Sequence, residues 1–280
     1  FALTSSTTLG GALLRKALFS NFFETFASSV SSLFISFSRR SDSLAKSMTP
    51  SSETKIEAPS MTAVADALGR SPLPVTVSDM LYHGRAVSRG LEHALLMVDM
   101  PYLSYTSPQQ ALQNAGSFMQ QANAQMVKLE GGAEQAGIVS CLAQHGIPVC
   151  AHLGLQPQRV HKLGGYRVQG REQDAAEAML KEARQLEQAG ADMMLLECVP
   201  QALADRITAA LTIPVIGIGA GSGCDGQILV LYDILGISVG RIPRFSKDFM
   251  VEAGSIEAAV RAYVDAVKNR RFPGSEHAFS

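Results

Sequence analysis

Several signatures that would assign this chain to a functional class are missing. Its four cysteines, Cys141, Cys150, Cys198 and Cys224, contain no C-x-x-C pair. That argues against a disulfide framework or a zinc site and for reduced thiols inside a cell. Cys150 and Cys198 lie in or beside apolar runs, where packing is the expected role. The net charge is −1, without the basic patch that marks a nucleic-acid binder. No uninterrupted apolar stretch reaches the ~20 residues of a membrane span. No G-x-G-x-x-G opens a helix after the first strand, so a dinucleotide-binding open sheet is disfavoured. Acids are scarce before Glu53.

That acid-poor start has its own character. Serine and threonine crowd residues 1–60, and Arg15, Lys16, Arg39, Arg40 and Lys46 supply positive charge. Phe19, Phe22, Phe23, Phe26, Val30, Leu33, Phe34 and Phe37 recur at the spacing of one helix face. Serine-rich, acid-poor and amphipathic with arginines describes an organelle transit peptide. A mitochondrial destination is expected, with plastid and cytoplasm as alternatives. The competing reading is a disordered leader of no function. Residues 1–60 are thus expected to be leader and linker, and residues 61–280 the folded domain.

The folded part is rich in core. With 46% hydrophobic and 18% charged residues, the chain can bury a large interior. Short apolar runs end on polar residues: Leu95–Asp99, Met126–Glu130, Ile147–His152, Met193–Glu197 and Ile228–Asp233, with Ile213–Gly221 ending in glycines. Runs of this length suit strands buried on both faces of a parallel sheet. Helical patterns of about a dozen residues separate them. Strand after strand ending in polar chemistry is the pattern of a (β/α)₈ TIM barrel, whose active site lies on that rim. Roughly six good strands are legible where the barrel needs eight, and the shortage is N-terminal.

The rim residues suggest a chemistry. Lys128 and Glu130 share one face of their strand, two positions apart. A buried charge needs a partner, so a structural Lys–Glu pair competes with a ligand site. Asp99, His152 and Glu197 come from three further strands. Carboxylates without a cysteine cluster suit a hard cation such as Mg²⁺, which would polarise an α-keto acid carbonyl and acidify the adjacent C–H. Lys128 and His152 would hold the substrate carboxylate, and a remaining glutamate would move the proton. His152 taken alone reads more often as a satisfied structural histidine. Gly217, Gly219 and Gly221 offer a weak signal of an anion cradle.

These residues carry a resemblance. The chain resembles the 3-methyl-2-oxobutanoate (ketopantoate) hydroxymethyltransferase family through Leu73–Val77, Val98–Pro101, Met126–Gly132, His152–Gln158, Gly164–Arg171, Leu196–Pro200, Ile213–Gly221, Asp225–Gln227, Ile242–Phe245 and Phe272–His277. The resemblance implies a (β/α)₈ barrel that transfers a hydroxymethyl group from 5,10-methylenetetrahydrofolate to 3-methyl-2-oxobutanoate, giving 2-dehydropantoate for pantothenate biosynthesis. It implies Mg²⁺ binding at Asp99, support of the metal by Glu130, keto-acid binding by Asp99, Lys128 and His152, proton transfer by Glu197, and a homo-oligomer. Family members begin the barrel with a strand and helix that have no counterpart here. Their second strand ends Gly-Asp-Ser; if Ala65–Gly69 is its remnant, Asp66 keeps the metal ligand and Ala67 replaces the serine. The alternatives are therefore an impaired paralogue or fragment serving as a non-catalytic subunit, or another metal-dependent keto-acid carbon–carbon lyase.

Overall fold

The structure, a computed structural model, describes residues 72–91, 94–238 and 242–280, and the backbone of residues 33–37 and 55–58. Eight strands close into one barrel. They are β1 (Leu33–Phe37), β2 (Lys55–Ala58), β3 (Leu95–Asp99), β4 (Met126–Glu130), β5 (Val149–Gly154), β6 (Met193–Glu197), β7 (Val215–Ile218) and β8 (Gly226–Leu229). From β2 to β8 every neighbouring pair is parallel. Parallel neighbours need a crossover. From β3 to β7 these are helices α1 to α5: Val77–Gly90 before β3, then Pro108–Ala122, Ala136–Gln144, Gln173–Ala189 and Gln201–Ala210 between successive strands. Helix α6 (Ile256–Lys268) follows β8.

The expected gap at the start of the barrel is filled in an unexpected way. Strand β1 runs antiparallel to both β2 and β8, pairing Phe34 with Glu57 on one side and with Leu229 on the other. The barrel therefore has its full strand number, but its first two strands come from residues 1–60, the stretch read as leader and linker, and β1 runs against the others. Leu33, Phe34 and Phe37, assigned above to a helix face, lie in this strand. The reason is tertiary. Without β1, the backbone groups of β2 and β8 would face outward unpaired, and a strand in either direction can satisfy them. The rest of residues 1–60, and Asp66 and Ala67, lie outside the described residues.

Both faces of β3 to β8 are buried, which is why most of them read as unbroken apolar runs. Leu96, Val98, Val127, Leu129, Val149, Ala151, Leu153, Met194 and Leu196 pack against the helices in one cluster. Leu95, Met97, Met126, Cys150, Met193 and Leu195 belong to a second cluster inside the barrel. Two-residue alternation then dictates the rest. Continuing the inward series beyond Met97, Met126, Cys150 and Leu195 leads to Asp99, Lys128 and Glu130, His152 and Glu197. The interior is apolar at one end and charged at the other.

Helix boundaries follow local chemistry. Thr76 caps α1 through a reciprocal hydrogen-bonding box with Asp79, and Ser107 and Ser255 cap α2 and α6. Gly190 ends α4 with a left-handed φ of 109°. The last strand is shifted from its expected place. It covers Gly226–Leu229, and Asp233 sits instead on a helical turn, where its carboxylate accepts from Ser238 and Ser246. Val230 adopts ψ 133° and begins that turn, so the apolar run is split between two elements. Asp233 is therefore a loop anchor, not a rim residue. Among the described residues no helix is long and apolar enough to cross a membrane.

Candidate active site

The rim residues converge. Strand register sets Asp99 beside Lys128, and Glu130 beside His152. Lys128 Nζ lies 3.2 Å from Asp99 Oδ1 and 3.5 Å from His152 Nδ1. His152 Nε2 lies 3.4 Å from Glu197 Oε2. Asp99, Lys128, Glu130 and His152 are all buried, with Glu197 slightly more open. The structure thus joins five of the six predicted site residues into one cluster, and the sixth is Asp66.

Burial and unequal charge set the protonation states. Three carboxylates face one lysine. Burial alone would lower the Lys128 ammonium, but Asp99 and Glu130 outweigh it and hold the pKa above the ordinary lysine value. Burial, aided by the Lys128 charge, holds His152 well below the usual histidine range, so the ring is neutral. Its 3.9 Å approach to Glu130 is therefore not an ion pair. Because the ammonium can only donate, Nδ1 is assigned as the acceptor and Nε2 as the protonated nitrogen. Nε2 finds no hydrogen-bond partner, its contact with Glu197 failing in geometry. A buried donor aimed beside Glu197 is one a ligand oxygen would satisfy.

The two glutamates are held as reluctant acids. Burial pushes Glu130 up to about 7 against the pull of Lys128 and of the Gln158 amide. Burial, then the Glu130 charge, pushes Glu197 up to about 8. The residue after it, Cys198, adopts φ 48°, an uncommon conformation outside glycine. Its N–H donates to the Ile218 carbonyl and its own carbonyl accepts from Gln169. These bonds clamp the turn that ends β6 and so fix where Glu197 starts.

Two further residues belong to the site. Gln158 donates its backbone N–H to Glu130 Oε2 at 3.0 Å, and the Tyr105 hydroxyl donates to Gln158 Oε1 at 2.7 Å. Gln158 closes the motif beginning at His152, but its spacing shows no partner; Tyr105 carries no sequence signal. The glycine reading is revised. A side chain at Gly219 would meet Phe245 and Phe279, and one at Gly221 would meet Gln201. Those glycines make room for neighbouring side chains. Tyr166, in the loop after β5, is exposed.

Comparison with known proteins now decides the family. The ketopantoate hydroxymethyltransferase family profile matches residues 59–275. The chain belongs to the ketopantoate hydroxymethyltransferase family. A 3-methyl-2-oxobutanoate hydroxymethyltransferase of Alkalilimnicola ehrlichii is 60% identical over 222 residues, covering 77% of this chain and 80% of that one. Proteins of the same name from Halorhodospira halophila and a Shewanella species are 56% and 55% identical, covering 80% and 84% of their own lengths. The family match selects a transferase over the carbon–carbon lyase alternative. A solved phosphonopyruvate hydrolase superposes at TM-score 0.46 and 16% identity, over 78% of this chain and 75% of that one, and carries no weight beside the family match. Among the described residues no three His, Cys, Asp or Glu side chains form a group able to hold a metal ion.

Proposed function

We propose that this chain catalyses hydroxymethyl transfer from 5,10-methylenetetrahydrofolate to 3-methyl-2-oxobutanoate, giving 2-dehydropantoate for pantothenate biosynthesis. The observation that carries the reading is the convergence of Lys128, His152 and Glu197 at one end of the barrel, in a family whose relatives bear that name. Lys128 offers the buried positive charge for the keto-acid carboxylate, and the His152 Nε2–H supplies an oriented donor beside it. Glu197, with a pKa raised to about 8, takes the C3 proton in its ionised form, a fraction that grows as pH rises through that value. The electron pair left at C3 forms the new carbon–carbon bond to the one-carbon unit. Water supplies the hydroxyl, and tetrahydrofolate leaves.

The donor set fits a divalent cation. Asp99 and Glu130 are buried oxygen donors on adjacent strands, and with Glu197 they leave the site richer in carboxylates than Lys128 alone can balance. Two protein carboxylates suffice for Mg²⁺, which keeps several waters or substrate oxygens. Asp99 and Glu130 would hold it, with Asp66 as a further candidate. When bound, the ion supplies polarisation of the keto-acid carbonyl and stabilises negative charge on its oxygen. A homo-oligomer and an organelle-targeting role for part of the N-terminal stretch complete the proposal.

The reversed β1 favours a second reading, an impaired paralogue acting as a non-catalytic subunit, because the unit that opens the barrel differs from the family pattern. Turnover of the purified full-length chain with the keto acid, methylenetetrahydrofolate and Mg²⁺ separates the two. Mg²⁺-dependent product that disappears in Glu197→Ala and Asp99→Ala supports the enzyme. A folded chain with no turnover supports the subunit.

A further inference from the structure

The Tyr105–Gln158 pair has no role in the chemistry above, yet its hydrogen bonds link the Glu130 carboxylate to the backbone of Met100, the residue after Asp99. Gln158 is buried and makes three contacts with different parts of the site. Its Nε2 donates to the Met100 carbonyl at 3.0 Å, one residue beyond Asp99. Its Oε1 accepts from the Tyr105 hydroxyl at 2.7 Å. Its backbone N–H donates to Glu130 Oε2 at 3.0 Å. The Tyr105 hydroxyl in turn accepts from the Glu130 N–H at 3.3 Å.

The bonds form a closed circuit through the ends of β3 and β4 and the turn after β5. Each atom in it has the one polarity its partner requires. A glutamine supplies a donor for Met100 and an acceptor for Tyr105 in a single side chain; ionised glutamate would set an acceptor against an acceptor, and methionine would do neither. A loop anchor alone would need no bond to an active-site carboxylate. Here the Gln158 amide is committed to the Glu130 side chain, while the same residue's side chain grips the backbone beside Asp99.

We propose that Gln158 and Tyr105 are positioning residues that fix the Glu130 carboxylate relative to Asp99. The inference rests on the assignment of those two carboxylates to a divalent cation. Outer partners of metal ligands typically cost about 10- to 100-fold in metal affinity or activity when removed.

The test uses the full-length chain and Mn²⁺ alone as a spectroscopic probe, read as a dissociation constant by electron paramagnetic resonance, beside kcat, KM and thermal unfolding. Tyr105→Phe, Gln158→Met and the double variant are compared with wild type. Tyr263→Phe is the control: it deletes a buried tyrosine hydroxyl, bonded to the Gln227 carbonyl, outside this circuit. Each single variant is expected to weaken Mn²⁺ binding and lower kcat/KM by about 10- to 100-fold. The double variant should cost no more than the worse single, because residues acting as one unit are not additive. Tyr263→Phe should leave Mn²⁺ binding unchanged. Lower unfolding temperatures with unchanged Mn²⁺ affinity and kcat would make the pair a loop anchor and overturn the proposal; additive losses would also overturn it. If Gln158→Met does not fold, Tyr105→Phe decides alone. An active, metal-binding wild type with unaffected variants sinks only this inference. An inactive wild type sinks the functional reading first, and an active wild type that binds no Mn²⁺ sinks the metal assignment and this inference with it.

Discussion

Of the two raised glutamates of the site, Glu197 is raised further. Its ordinary carboxylate value of 4.5 is pushed up to about 8 by burial first and by the Glu130 charge second. Glu130 is itself raised to about 7. The sign of the linkage follows. Between the unfolded and folded values the native state keeps protons that the unfolded chain has released. Their stabilisation relative to high pH is fully present at and below the ordinary carboxylate range, and is lost as pH rises through about 7 and then about 8. The unfolding temperature of the metal-free protein should therefore fall across that window, and Glu197→Gln should show a shallower fall. Equal slopes in the two proteins would contradict the assignment. The same variant should lose about 100- to 10,000-fold in kcat, the usual reach of a positioned proton-transfer group. All five clustered rim residues were legible at the polar ends of apolar runs, and alternation put Lys128 and Glu130 on one face. That this face points inward follows from Met97, Met126, Cys150 and Leu195 inside the barrel. Tyr105 was not legible, because a hydroxyl that reaches Gln158 across the fold leaves no trace in spacing.

At the scale of elements, the β5–β6 pair shows how closely the backbone is held around the site. Gly154 ends β5 at φ 94°, paired in register with Glu197, and a Cβ there would strike the Glu197 carbonyl oxygen. Gly154→Ala is expected to cost at least about 1–3 kcal/mol from backbone strain alone, and to shift Glu197. Circular dichroism melting and kcat, measured on the same preparation, would check both effects; an alanine variant with wild-type values would show that this approach is not needed. Helix limits coincide with local chemistry wherever a cap or a left-handed glycine marks them, as at Thr76, Ser107 and Gly190. The run Ile228–Asp233 misled because apolarity does not reveal where a strand gives way to a helical turn. Only the backbone change at Val230 decides that.

For the whole molecule, the decisive event is closure. An open parallel sheet exposes two edges, which invite pairing with other chains. In this chain β1 covers both, lying between β2 and β8. A chain beginning at residue 51 would keep β2 and lose β1. It should melt at lower temperature than the full-length protein and form higher species in size-exclusion chromatography, through its freed strand edges. A shortened chain with the same melting temperature and a single elution peak would show that closure does not depend on β1. The Leu33–Phe37 run, Leu-Phe-Ile-Ser-Phe, has the bulky composition of a strand. Its phenylalanines also continue a helical spacing begun at Phe19, and local pattern alone could not choose between the two.

The sequence by itself determined the class of fold, the charged residues at one end of the strands with Lys128 and Glu130 on one face, and the family. Each of these depends on local order along the chain: two-residue alternation, breakers between runs, and motifs in series. Only the tertiary structure decided which strand closes the barrel and in which direction, that burial keeps His152 neutral and raises Glu130 and Glu197, and that Tyr105 and Gln158 brace the site. Those outcomes depend on what lies across space from each residue. Backbone edges, burial and neighbouring charge are supplied by strands and loops far apart in the chain.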